Sequence, residues 1–141
     1  MPPRMWTVSR DIEAPADTVW QILVDLEAWP QWGPTVTGAT LDGAGFELGA
    51  TGRVWTPVGV PLPFTISELD PGRMWGWRVA GVPATRHGVE PGGQRCRAWM
   101  SAPVWGPAYL PVLATALRRI EKMAVDAAGG RPQPPQVTGR P

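Results

Sequence analysis

Apolar and polar residues alternate along Met5–Ile12, with Trp6, Val8 and Ile12 on one parity and Thr7, Ser9 and Asp11 on the other. A period of two predicts a half-exposed strand, whose apolar side Arg10 interrupts. After Pro15 the spacing lengthens: Val19, Leu23 and Leu26, together with Ile22, form a stripe at helical intervals. Pro15 can open a helix without losing an internal hydrogen bond, so the first helix is expected over about residues 16–26. Pro30, Gly33 and Pro34 then permit only a short helical turn, carrying Trp29 and Trp32 on a shared face.

Beyond Pro34 the period returns to two. Short segments at about 36–41, 50–55, 63–69, 74–79, 85–90 and 94–102 are separated by glycine, proline or aspartate. This spacing predicts a meander of antiparallel strands, with the firmest turns at Asp42-Gly43, Asp70-Pro71-Gly72 and Pro91-Gly92-Gly93. From Pro111 to about Ala127, Leu113, Leu117, Ile120 and Ala124 extend a stripe begun at Leu110, while Arg118, Arg119, Glu121 and Lys122 lie mainly on the other side. Such a helix needs an apolar partner surface. Gly129 and Gly130 end it, and the Pro-rich remainder has too little apolar area to offset ordering entropy. Residues 1–128 are therefore expected to form one domain and 129–141 a flexible tail.

Composition narrows the function. The 141 residues suit a single core. A charged fraction of 18% with a formal net charge of +1 provides no basic tract to follow a phosphate backbone, which argues against nucleic acid as a partner. Cys96 is the only cysteine and His87 the only histidine, so neither an intrachain disulfide nor a multi-histidine or thiolate metal cluster is available, and no cofactor is expected. A cytoplasmic location follows as the simplest expectation for an unpaired thiol. No segment has the apolar core of a signal peptide or approaches the roughly 18 apolar residues of a membrane span. The glycines around Gly43, Gly45, Gly49 and Gly52 lack the lysine and following helix of a phosphate-binding loop.

The stretch IEAPADTVWQILVDLEAWPQWGP resembles the opening of the polyketide cyclase/dehydrase and START-like superfamily, through Ile12, Ala14, Pro15, Val19, Trp20, Asp25, Trp29, Pro30 and Trp32. ELDPGRMWGWRV, the residues around His87, EPGGQRCR and the terminal helix continue the resemblance across residues 5–127. It implies an α+β helix-grip fold: about seven curved antiparallel strands around a long C-terminal helix, with two short helices after strand 1. It also implies a cavity between sheet and helix for hydrophobic ligands such as lipids, sterols, hormones or polyketide intermediates.

Strand parity nominates the wall of that cavity. Val79, Pro83, Thr85, His87 and Val89 share the less charged parity, Trp75 and Trp77 lie on one strand face with Val79, and Cys96 and Met100 lie opposite Arg95, Arg97 and Trp99. Phe64, Ile66, Leu113 and Leu117 are cavity or core groups by the same phase, and Trp29 and Trp32 are candidates for its mouth. His87 can orient a ligand carbonyl or hydroxyl, or accept a proton, and is the only catalytic candidate; it can equally be a satisfied rim histidine. Cys96 reads as a small core hydrophobe. Asp25 suits local hydrogen bonding, and Glu13, Asp17, Glu27, Glu68 and Asp70 suit a solvated surface. Three functions compete: binding or transport of a small hydrophobic molecule, a cyclase or dehydratase acting through proximity, and a protein-interaction module with a filled core and exposed tryptophans. A homodimer is compatible with all three.

Overall fold

The computed structural model describes residues 5–43, 45–103 and 106–129; all of the expected tail except Gly129 lies outside them. Strands β1 (Met5–Ile12), β2 (Gly38–Leu41), β3 (Thr51–Trp55), β4 (Pro61–Asp70), β5 (Met74–Val79), β6 (Val82–Gly92) and β7 (Arg95–Pro103) form one curved antiparallel sheet. Its spatial order is β1-β7-β6-β5-β4-β3-β2, so the meander runs unbroken from β2 and the first strand closes onto the last. Helices α1 (Ala16–Val24) and α2 (Trp29–Trp32) join β1 to β2, and α3 (Leu110–Ala128) lies across the sheet. This is the helix-grip architecture.

α1 stops two residues short of its expected end. Asp25 is extended, with ψ 107°, and its Oδ1 accepts the Glu27 backbone N–H at 3.0 Å, a local bond that competes with another helical turn. α3 begins directly after a 3-10 turn at Pro107–Tyr109, which leaves Pro111 in the first turn, where its missing N–H costs no hydrogen bond. Leu113, Ala116, Leu117, Ile120 and Ala124 are its buried face. Arg10, the interruption in β1, reaches Glu121 of α3 with Nε–Oε1 at 2.6 Å, so the charge lies at the seam between strand and helix.

Two bulges break simple parity. Ile66 pairs with Trp77 and Glu68 with Gly76, so Ser67 is an extra residue in β4. Inward facing thus passes from Ile66 to Leu69, and Glu68 turns to the outer face, where it holds Arg86 through two bonds of 2.7 Å. On β6, Arg86 pairs with Gly76 and Pro83 with Arg78, so Ala84 and Thr85 together oppose Trp77. Pro83 is consequently exposed beside the outward Arg78 and does not share the face of His87. A tight hairpin outside the expected turns joins β5 to β6, with Ala80 at φ 53° and Gly81 at φ 81°, the doubly left-handed turn that matches strand twist.

Gly52 illustrates how closely the sheet is packed at its β3 end. A Cβ there would stand 2.0 Å from the Thr40 carbonyl oxygen and 2.7 Å from the Phe64 ring. Gly52→Ala is expected to destabilise the fold by about 2–3 kcal/mol in urea unfolding, because backbone as well as side chain must move. A change below about 0.5 kcal/mol would contradict that packing.

Candidate functional site

Seven rings converge where β4, β5 and β6 face α2, with Trp32 edge-on to His87 at 6.0 Å. Trp29 stacks on Trp75 with centroids 5.2 Å apart, and Trp75 stacks on His87 at 3.9 Å, so Trp75 is sandwiched between the other two. Phe64 and Trp77 close the cluster edge-on, and Phe46 meets Trp75 at 5.3 Å. The indoles also do polar work. Trp29 Nε1 and Trp75 Nε1 both donate to the Leu23 carbonyl, at 2.9 and 3.1 Å, and Trp32 Nε1 donates to the Ile22 carbonyl at 3.2 Å. These are carbonyls of the last turn of α1, which lack helical partners. Three tryptophans thus cap one helix C-terminus from the interior.

His87 is 3% exposed and tied at both nitrogens. Nδ1 lies 3.4 Å from the Trp75 carbonyl oxygen, Nε2 lies 2.9 Å from Thr85 Oγ1, and Trp77 Nε1 donates to the same hydroxyl at 3.0 Å. Only one arrangement of protons satisfies the neutral chain. A carbonyl can only accept and an indole N–H can only donate, so Nδ1 carries the proton and Thr85 gives its hydrogen to Nε2. Burial holds the His87 pKa down at about 3, against an opposing contribution from the Trp75 carbonyl. At neutral pH the ring is uncharged and its lone pair is engaged.

A cavity of about 540 Å³ opens beside this cluster, at the end of the sheet away from the β6–β7 turn. Val54, Leu62, Val79, Ala84 and Ala102 furnish its apolar wall, and exposed Pro57 and Ala108 stand at its rim. Its polar side chains are the hydroxyls of Thr35, Thr56, Thr85 and Tyr109 and the Trp77 indole, and among the described residues no charged side chain lines it. Thr35 Oγ1 and Tyr109 Oη share a hydrogen bond of 2.6 Å. A second space, of about 40 Å³, lies deeper against His87, Trp75, Trp29, Trp32 and Leu113. Thr35, Val36, Trp77, Thr85 and Tyr109 line both spaces and form the partition between them.

Of the residues nominated from sequence, Trp77 and Thr85 therefore meet the large cavity. His87, Trp75, Trp29, Trp32 and Leu113 meet only the small chamber, and Trp29 and Trp32 stand at α1 rather than at the mouth. Phe64, Ile66, Cys96, Met100 and Leu117 are buried in the core and line neither space. Cys96 lies six positions along β7 from Ala102, about 20 Å at strand rise. Its thiol pKa is raised by burial and by the Asp11 carboxylate, as suits a core sulfur. Sequence reading missed Val36, Val54, Leu62, Ala84, Ala102 and Tyr109 as lining. Tyr109, the only tyrosine, beside the prolines opening the last helix, was the available signal.

A family model described as polyketide cyclase / dehydrase and lipid transport matches residues 5–128. Among curated proteins, none matches this sequence. Solved structures similar to it include an uncharacterised Bacillus thuringiensis protein at 16% identity and TM-score 0.67, covering 87% of this chain and 100% of that one. The Zhui aromatase/cyclase from Streptomyces sp. R1128 is similar at 14% identity and TM-score 0.69, with 92% and 99% covered. The di-domain ARO/CYC BexL of the BE-7585A biosynthetic pathway is similar at 17% identity and TM-score 0.66, with 92% of this chain and 48% of that one covered. At these identities the likeness is one of fold.

Proposed function

Because this chain belongs to the polyketide cyclase / dehydrase and lipid transport family, we propose that it binds a small uncharged hydrophobic molecule, of aromatic or lipid-like character, in the 540 Å³ cavity. The observation that carries this reading is the lining: among the described residues, aliphatic and aromatic groups with a few hydroxyls and no charge. A planar ligand burying about 300 Å² of apolar surface would gain roughly 7 kcal/mol before the costs of association. Turnover, the activity named for the aromatase/cyclase relatives of similar fold, is less well supported. The described lining offers no carboxylate, imidazole, amine or thiol for proton transfer, and the imidazole behind it has its lone pair occupied.

Ala102, 1% exposed, projects from β7 into the cavity. Ala102→Phe would occupy the volume without removing a polar partner. Titration with naphthalene, followed by quenching of tryptophan fluorescence, is expected to saturate in the wild type and to weaken at least about thirtyfold in Ala102→Phe, with the urea midpoint shifting only modestly. Absence of saturable binding in the wild type, together with no apolar adduct released from freshly purified protein in native mass spectrometry, would overturn the proposal.

A further inference from the structure

The polarity of the Trp77–Thr85–His87–Trp75 chain has a consequence for what the cavity accepts. A threonine hydroxyl has one hydrogen and two lone pairs. The hydrogen goes to His87 Nε2, and one lone pair receives the Trp77 indole N–H. One lone pair remains, on a side chain that is 8% exposed and lines both the cavity and the chamber behind it. It has no other hydrogen-bond partner among the described residues.

The hydroxyl cannot reverse to donate into the cavity without breaking this order. Turning its hydrogen toward a ligand would leave Nε2 without a partner in a buried site. Moving the imidazole proton to Nε2 would leave the Trp75 carbonyl facing an unprotonated Nδ1. Either change leaves a buried polar group unpaired, a penalty larger than one ordinary hydrogen bond contributes. The Thr35–Tyr109 pair behaves differently: one of its two hydroxyls donates to the other, and the second hydrogen stays free, so the pair can answer a ligand acceptor or donor alike.

We infer that Thr85 is a specificity-determining residue: it acts toward the cavity only as a hydrogen-bond acceptor and selects flat apolar ligands that carry an O–H or N–H donor over isosteric ethers and ketones. This rests on the cavity being a ligand site. Asymmetry of this kind arises because an ether or ketone set against the fixed lone pair leaves acceptor facing acceptor with water excluded.

The test is a matched pair of probes, 2-naphthol and 2-methoxynaphthalene, titrated into the full chain with naphthalene as reference. Apolar partitioning alone ranks the ether above the naphthol. The wild type is expected to reverse that order by about tenfold. Thr85→Val should bring the two affinities together through loss of naphthol binding, and Thr85→Ser, which keeps the hydroxyl, should retain the preference. If all three probes bind the wild type in order of their apolar area, the donor selection is refuted while the cavity reading stands. If none binds, both fall. Should Thr85→Val not fold, Tyr109→Phe decides the matter: it is expected to keep the wild-type preference, and its loss there would assign the selection to the Thr35–Tyr109 pair and overturn the role of Thr85.

Discussion

Trp75→Ala is expected to destabilise the folded chain by about 4 kcal/mol, a large part of the roughly 5–15 kcal/mol that holds a domain of this size. Trp75 is fully buried, and its truncation removes the middle layer of the Trp29–Trp75–His87 stack and one of the two N–H groups on the Leu23 carbonyl. Trp75→Phe keeps most of the ring and loses the N–H, and should cost only about 1–2 kcal/mol, because Trp29 Nε1 still donates to Leu23. The corresponding single change at Trp29 should behave alike. Together, Trp29→Phe and Trp75→Phe take both donors from a buried carbonyl, so the double variant should fall below the sum of the singles by about 1–2 kcal/mol. Additive urea unfolding energies would show that the indoles contribute area alone and not a shared helix cap.

That cap also marks the boundary of what was legible beforehand. Local periodicity placed β5 at Met74–Val79, the buried phase of Cys96, Ala98 and Met100, and the stripe of α3, because each depends on neighbours along the chain. Resemblance of residues 12–34 supplied the closure of the sheet, which no single period encodes. The cavity was harder to read. Its wall draws Val54, Leu62, Ala84, Ala102 and Tyr109 from four strands and a helix approach, and no sequence interval links them. The bulge at Ala84 and Thr85 turns two adjacent residues to one face, which strict alternation forbids, and so Pro83 was assigned to a side it does not occupy. Aromatic residues were visible as bulk, but whether a ring fills space or borders it depends on the volume its neighbours leave. Here most of Trp29, Phe64 and Trp75 is spent on the core, and the empty volume lies one layer further out, past Trp77 and Thr85.

Mild acid should destabilise this protein through His87. The unfolded chain takes up a proton at His87 near pH 6.5, whereas the native state, with the ring buried, resists until about pH 3. Between those values the unfolded state binds more protons, so stability is full above about pH 6.5 and falls as the pH drops toward 3. Across the whole window the loss is on the order of 4–5 kcal/mol, comparable with Trp75→Ala. Among the described residues no carboxylate lines the chamber around the ring, so no opposite charge compensates the imidazolium, and a protonated Nε2 could donate only to the second lone pair of Thr85, turning the threonine hydrogen away. His87→Gln cannot titrate there. It should be less stable than the wild type at pH 7, having lost the stack on Trp75, yet show a much flatter fall between pH 6.5 and 4 in urea midpoints. With a single histidine in the chain, the ring nitrogen resonances report the same state directly: a neutral ring protonated at Nδ1, unchanged from pH 7 to pH 5. Parallel stability curves for His87→Gln and wild type, or an imidazolium signal appearing near pH 6 in folded protein, would mean that water reaches the ring. The hydrogen order that makes Thr85 an acceptor toward the cavity would then be lost at the same pH.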